Sequence, residues 1–159
     1  MTQRIDYIKQ SPQSFKKLLE FSMAVEGSTI DAKTSHLVDI RASQINGCAF
    51  CLDMHIKQAK GAGENELRLH HVAIWRESPL FSAAERAALE WTEALTQLSA
   101  HGVSDAIYDS VRLVFSEQQL SDLTYKIMAI NAWNRANVAF QTVPGSADKA
   151  YGLDNVVFN

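Results

Sequence analysis

Apolar residues along the chain recur at intervals of three and four positions, the spacing of one face of an α-helix. The first such stripe is formed by Phe15, Leu18, Leu19 and Val25. No segment alternates apolar and polar residues with the sustained period of two that a half-buried strand requires. The pattern therefore predicts an all-α protein.

Capping and helix-breaking residues divide this pattern into successive helices. The sequences Ser82–Glu85 and Ser116–Gln119 match the capping box, in which a side chain and the backbone bond reciprocally at a helix N-terminus. The second opens the longest predicted helix, whose apolar middle we expect to be buried in the core or between subunits. The predicted helix starts, in chain order, are Ser11-Pro12, Thr29 or Asp31, Cys48, Asn65, Ser82, Ser104 and Ser116.

The length of the chain indicates one domain. With 159 residues, of which 47% are hydrophobic, the chain can form one core and is too short to expect two. We therefore assign residues 1–159 to a single domain, with a C-terminal tail at 142–159 whose Val156, Val157 and Phe158 are able to dock on a neighbour. A similarity between residues 19–24 and 89–94 suggests a duplicated helical unit.

The charge of the chain argues against nucleic acid and anionic membranes as partners. The formal net charge is −3, and the basic residues are scattered among acidic ones. The first ten residues lack the apolar run of a signal peptide, and no apolar segment of 18 residues exists to span a bilayer. We expect a cytoplasmic protein, whose cysteines are reduced at rest.

Both cysteines of the chain lie in one Cys-x-x-Cys sequence, Cys48 and Cys51, and His55 follows four residues after the second. Asn46-Gly47 favours the end of one helix, because both residues tolerate the left-handed conformation. A new helix is therefore predicted to start near Cys48. At about 100° per residue, both sulfur atoms and the imidazole share an arc of about 60°.

This arrangement favours thiol chemistry. A thiol in the first turn of a helix feels unpaired N–H groups and the positive end of the helix dipole, which lower the pKa of Cys48 from about 8.5. His55 lies one turn beyond Cys51 and can accept its proton. The geometry suits a dithiol that cycles through a disulfide.

The two cysteines could instead have a purely structural role or bind a metal ion. Buried cysteines without a chemical role are common in cytosolic proteins. Structural zinc needs four ligands and usually a second ligand pair, which the chain lacks, and covalent haem attachment needs a histidine where the chain has Leu52. We expect no metal and no cofactor other than a redox-active Cys48–Cys51 disulfide.

Four stretches of the chain, read together, resemble the alkyl hydroperoxidase D (AhpD) family within the carboxymuconolactone decarboxylase-like superfamily. They are residues 41–55 (Arg-Ala-Ser-Gln-Ile-Asn-Gly-Cys-Ala-Phe-Cys-Leu-Asp-Met-His), 75–77, 81–89 and 131–135. The resemblance extends from about Phe15 to about Phe140. It implies an all-helical subunit, assembly into trimers or hexamers, and thiol-dependent reduction of hydroperoxides.

The resemblance also implies roles for individual residues. Cys51 would be the peroxidatic cysteine, Cys48 the resolving cysteine and His55 part of a proton relay. The relay of the family commonly includes a glutamate twelve residues before the first cysteine, where this chain has His36, and the best-studied branch has a histidine where this chain has Phe50. The helix terminus favours Cys48 as the attacking thiol, whereas the resemblance and the pairing with His55 favour Cys51, which we adopt.

The leading hypothesis is an enzyme that reduces an organic hydroperoxide or hydrogen peroxide through this dithiol. Its partners would be the hydroperoxide and an external dithiol or disulfide-reductase donor, and the subunits would form a homo-oligomer. A second hypothesis is a redox sensor or adaptor, in which disulfide formation changes assembly or partner binding. A third is a cofactor-free lyase of the decarboxylase type, in which Cys-x-x-Cys is not the catalytic feature.

Overall fold

The computed structural model describes residues 2–157, and helices and turns make up this part of the chain. The only β pairing found there is one isolated bridge between Ser99 and Gly102, so the predicted all-α class is confirmed. The helices are α1 (Tyr7–Gln10), α2 (Pro12–Glu26), α3 (Ala32–Asn46), α4 (Ala49–Gly61), α5 (Glu66–His71), α6 (Ala83–Thr96), α7 (Asp105–Arg112), α8 (Glu117–Phe140) and α9 (Asp148–Tyr151), with a 3-10 turn at Val72–Ile74.

The capping residues determine where most helices begin, as the sequence predicted. Asp31, rather than Thr29, caps α3 and accepts the N–H of Thr34 at 3.0 Å. Ser82 and Ser116 both form complete capping boxes. The helix predicted from Asn65 is shorter than expected, because the chain tightens after α5 into a 3-10 turn of the kind common at helix ends.

Helix α3 lies at the centre of the fold, where it packs against α4, α6 and α8. Its Leu37, Val38 and Ile40 have no solvent exposure, and Leu123 on α8 is equally buried. Fully burying such a side chain contributes about 1.5–3 kcal/mol. The packing therefore fixes α3 against the helix that carries the cysteines and against α8.

The end of the chain packs on α4 of the same subunit. Lys57 donates to Asp148 at 2.6 Å, and Val156 lies beside Gly61. Phe158, predicted to help dock the tail, lies outside the described residues. Within residues 2–157, no helix combines the length and the apolar character that crossing a membrane requires.

Candidate active site

The turn between α3 and α4 positions the first cysteine. Gly47 ends α3 in the left-handed conformation with φ 64°, which favours glycine, and the N–H of Cys48 donates to the carbonyl of Ser43 at 3.0 Å. Cys48 is then the N-cap of α4, and its Sγ accepts the N–H of Cys51 at 3.3 Å. The predicted start of a helix at Cys48 is confirmed.

Cys48 and Cys51, one helical turn apart, form a disulfide. Their Cα atoms are 5.4 Å apart, within the usual range for a disulfide. Cys48 is 2% exposed and Cys51 is 1% exposed, in an apolar cluster with Ala42 and Ile130 that the partly buried Phe50 covers. In this conformation both sulfur atoms are shielded from solvent.

His55 follows one turn after Cys51 and is also buried. Its Nδ1 lies 2.8 Å from Gln58 Oε1 and 3.6 Å from Asp39 Oδ2. Because both of these oxygens are acceptors, Nδ1 carries the hydrogen of the neutral ring. Nε2 is then the basic nitrogen that can accept a proton.

Asp39 connects His55 to a buried lysine. Asp39 is 3% exposed, and its Oδ2 lies 2.9 Å from the Nζ of Lys126, which also contacts Glu26 at 2.6 Å. Burial by itself would lower the pKa of Lys126, but the carboxylates of Asp39 and Glu26 outweigh it and raise the pKa above its ordinary value. The positive charge of Lys126 therefore lies beside the Asp39 carboxylate that contacts His55.

His36 is half-buried on α3, one turn before Asp39. Burial lowers the pKa of His36, His55 and Lys126 lower it further, and Asp39 and Glu26 only partly offset this effect. The ring is therefore mainly neutral near pH 7. Asp39, rather than His36, makes the contact with the His55 ring, and a catalytic role of His36 stays a prediction.

Three asparagines at intervals of three residues line one face of α8. Asn46, at the end of α3, donates to the side-chain oxygens of Asn131 and Asn134, each at 2.9 Å. Asn134 in turn donates to Ser43 Oγ at 3.1 Å. These bonds hold α8 against the turn that carries Cys48.

The third asparagine, Asn137, reaches the site itself, since its Nδ2 lies 3.5 Å from Cys51 Sγ. Sequence reasoning missed this residue, as it missed Asp39 and Lys126. Two signals could have identified them: the regular spacing of the asparagines, and charged residues inside apolar runs of α3 and α8.

The described part of the chain contains no group of side chains arranged to bind a metal ion. Within residues 2–157, no three His, Cys, Asp or Glu side chains are grouped as ligands of one ion. The expectation of a site without metal remains a prediction.

Comparison with known sequences places these features in a family. The model of the carboxymuconolactone decarboxylase family matches residues 12–94. The uncharacterized protein YdfG of Bacillus subtilis is 39% identical over 139 residues, which are 87% of this chain and 95% of YdfG. The uncharacterized protein YnjA of Escherichia coli is 38% identical over 113 residues, 70% of this chain and 61% of YnjA.

Solved structures share the fold. A protein of unknown function and candidate antioxidant defence protein AhpD from Agrobacterium tumefaciens superimposes with a TM-score of 0.87 and 38% identity, covering 90% of this chain and 98% of that chain. The debrominase Bmp8, at 20% identity and a TM-score of 0.78 over 94% of this chain and 80% of its own, shows the fold alone. The AhpD-like fold that the resemblance implies is confirmed, and the chain belongs to the carboxymuconolactone decarboxylase family.

Proposed function

We propose that the protein is a thiol-dependent peroxidase that reduces organic hydroperoxides or hydrogen peroxide. The observation that carries this proposal is the buried Cys48–Cys51 disulfide at the start of α4, with His55 one turn further along the same helix. The AhpD-like fold supports the same chemistry. We infer that the cycle requires no metal or organic cofactor, because the two cysteines themselves hold the two electrons.

In the first step, the Cys51 thiolate attacks the distal oxygen of the peroxide. The O–O bond breaks, the leaving oxygen takes the proton that the Cys51 thiol gave up and departs as the alcohol or water, and Cys51 becomes a sulfenic acid. His55 is suited to hold and return this proton through Nε2, because Gln58 and Asp39 both face Nδ1. His36 is a second candidate base, since its buried ring is mainly neutral near pH 7.

In the second step, the Cys48 thiolate attacks the sulfenic sulfur of Cys51, the S–O bond breaks, and the disulfide forms. The hydroxide that leaves takes up the proton released by the Cys48 thiol and departs as water. The 5.4 Å separation of the Cα atoms allows this closure without movement of the helix. An external dithiol or a disulfide reductase then returns two electrons by thiol–disulfide exchange. The low exposure of both sulfur atoms favours a small dithiol as the donor in this conformation.

The proposed setting is the cytoplasm, where the resting pair is reduced. A homo-oligomer is part of the proposal as well, because large apolar side chains such as Met23, Tyr125 and Met128 are at least half exposed on the subunit.

Thiol counting with stoichiometric peroxide tests the chemistry. The reduced chain holds two cysteines, and we expect about one equivalent of peroxide to remove both thiols and leave an intramolecular disulfide. With Cys48→Ser, the same treatment should stop at sulfenic acid on Cys51, and excess peroxide should drive it to sulfinic acid. If peroxide leaves both thiols free in the wild type, the proposed function is wrong.

Turnover separates the enzyme from the alternatives. With excess dithiothreitol or dihydrolipoamide, an enzyme consumes many equivalents of peroxide per chain, far faster than the dithiol alone, whereas a redox sensor adds little to the rate of the dithiol alone. Cys51→Ser should abolish consumption, and Cys48→Ser should allow little beyond the first oxidation. A chain whose activity in a lyase assay survives both substitutions would instead support the decarboxylase-type alternative.

A further inference from the structure

The side-chain amide of Asn137 is buried in α8 and lies against the sulfur of Cys51. Its Nδ2 is 3.5 Å from Cys51 Sγ and 3.0 Å from the carbonyl oxygen of Trp133. Its Oδ1 is 3.2 Å from the hydroxyl of Tyr7. A carboxamide has two N–H donors and one acceptor oxygen, so these three partners satisfy both ends of the group. The amide therefore presents a donor, and not its oxygen, to Cys51.

Tyr7 reaches this amide because the N-terminal segment, residues 4–10, is attached to the end of α8. The backbone N–H of Arg4 donates to the carbonyl of Phe140 at 2.8 Å, and its guanidinium donates to the carbonyl of Ala139 at 3.0 Å. The Tyr7 ring stacks on Phe140 with centroids 5.4 Å apart. The segment thus holds a phenol against the far side of the amide.

The phenol is held in its protonated form. Burial raises the pKa of Tyr7, and the neighbouring Tyr151 and Asp6 raise it further. The hydroxyl therefore keeps its hydrogen at neutral pH and donates it to Asn137 Oδ1. This bond favours the orientation in which Nδ2 faces the sulfur.

We propose that Asn137, oriented by Tyr7, donates a hydrogen bond that stabilises the thiolate of Cys51. This role rests on the proposed function, in which Cys51 attacks the peroxide. A hydrogen bond to an ionised acceptor is stronger than one to a neutral acceptor, so the amide that meets a neutral sulfur in the disulfide favours the anion in the reduced protein. Both residues lie outside the segment 12–94 that the family model matches.

Several titratable groups lie on the elements packed around the cysteine site. They are Tyr7 on α1, Glu26 on α2, His36 and Asp39 on α3, His55 on α4, Lys126 on α8 and Tyr151 on α9. A neutral substitution of Asn137 adds or removes no charge among these groups, although Tyr7 loses its hydrogen-bond acceptor. Comparison with the wild-type residue therefore isolates the effect of the amide.

Alkylation of a single thiol provides the test. In a Cys48→Ser background Cys51 is the one remaining cysteine, and its rate of reaction with iodoacetamide is measured across pH. The midpoint of this curve reports thiolate formation, and its plateau at high pH reports access to the sulfur. We expect Asn137→Leu to move the midpoint to higher pH and to slow alkylation near pH 7 by about tenfold, the lower end of what a hydrogen bond to a charged group contributes.

Further variants separate this role from packing. Asn137→Asp, which is isosteric but anionic, should move the midpoint further than Asn137→Leu. Tyr7→Phe should move the midpoint in the same direction by a smaller amount, because the amide remains but loses the hydrogen bond from Tyr7 that orients it. Tyr108→Phe is the matched control, since Tyr108 is exposed and its ring contacts Trp91. It should leave the curve unchanged.

Tyr7→Phe keeps the test decisive if substitution of the buried Asn137 prevents folding. Midpoints that stay at the wild-type value in the Asn137 and Tyr7 variants, or a change in the plateau alone, would overturn the proposed role. Peroxide turnover is measured separately on chains that retain both cysteines. If the variants shift the midpoint but the wild type does not turn over peroxide, the proposed peroxidase function is wrong. If the wild type turns over peroxide but the variants leave the midpoint unmoved, only the role of Asn137 is wrong.

Discussion

Substitution of Asp39 by asparagine removes the negative charge that contacts His55 and Lys126, without changing the size of the side chain. In the wild type, the Oδ2 of Asp39 lies 2.9 Å from the Nζ of Lys126, and both side chains are at most 6% exposed. The variant leaves the Lys126 ammonium buried with the carboxylate of Glu26 alone, whose side chain is 63% exposed. We expect the protein to become less stable because a buried cation loses its buried counter-ion.

The expected loss is roughly 3 kcal/mol in the free energy of unfolding, the lower end of the usual cost of breaking a buried ion pair. The lower end applies because Glu26 remains at 2.6 Å from the ammonium. For a chain of this size, this corresponds to a decrease of about 6–12 °C in melting temperature. Glu26→Gln removes the solvent-exposed carboxylate that contacts the same ammonium. We expect this substitution to lower the free energy of unfolding by less than about 1 kcal/mol.

Urea denaturation of the two variants, followed by circular dichroism, measures this difference. The double variant Asp39→Leu/Lys126→Met should recover most of the lost stability, because removing both charges leaves neither unpaired. Under the proposed function, both this double variant and Asp39→Asn should reduce peroxide more slowly than the wild type, because His55 no longer has the carboxylate beside Nδ1. Equal unfolding free energies for Asp39→Asn and Glu26→Gln would refute the reasoning from burial.

Two further predictions concern His36 and assembly. The pKa of His36 is lowered in the folded chain, so below about pH 6.5 the unfolded chain binds more protons than the folded chain. The contribution of His36 to the free energy of unfolding should therefore be fully present above about pH 6.5 and be lost as the pH falls through the pKa of the folded chain. His36→Gln should flatten this dependence in urea titrations between pH 5 and 8, and a slope equal to that of the wild type would exclude His36 as its source. For assembly, we expect light scattering to give a trimer or hexamer, and Met128→Glu, at a position 51% exposed on α8, to weaken it. A wild-type monomer at all concentrations would contradict this expectation.

The features of the site that the sequence predicted are local ones. Asn46-Gly47 ended α3, Cys48 began α4, and the i, i+4 relation placed His55 on the face of Cys51, because each depends on a few consecutive residues and on helical geometry. Capping boxes located the starts of α6 and α8 for the same reason.

The contacts that connect the site to the rest of the fold could not be predicted in this way. Asn137 is 86 residues from Cys51 along the chain, and Tyr7 is 130 residues from Asn137. Their meeting depends on how α1, α4 and α8 pack, and periodicity in one sequence gives the buried face of each helix but not its partner. Asp39 was missed because a charge on a helix is ordinarily expected on its solvent face.

The place of Asp39 changes the interpretation of His36. The glutamate that the resemblance implies at position 36 would combine two properties, a negative charge and the capacity to accept a proton. In this chain the ring of His36 is mainly neutral near pH 7, and Asp39 supplies a negative charge one turn later, beside Nδ1 of His55. Lys126 compensates that charge within the core. A carboxylate added at position 36 would face Asp39 with Lys126 as their shared buried cation, and like charges in such a place disfavour each other's ionised form. A mainly neutral imidazole at position 36 avoids a second negative charge beside Asp39.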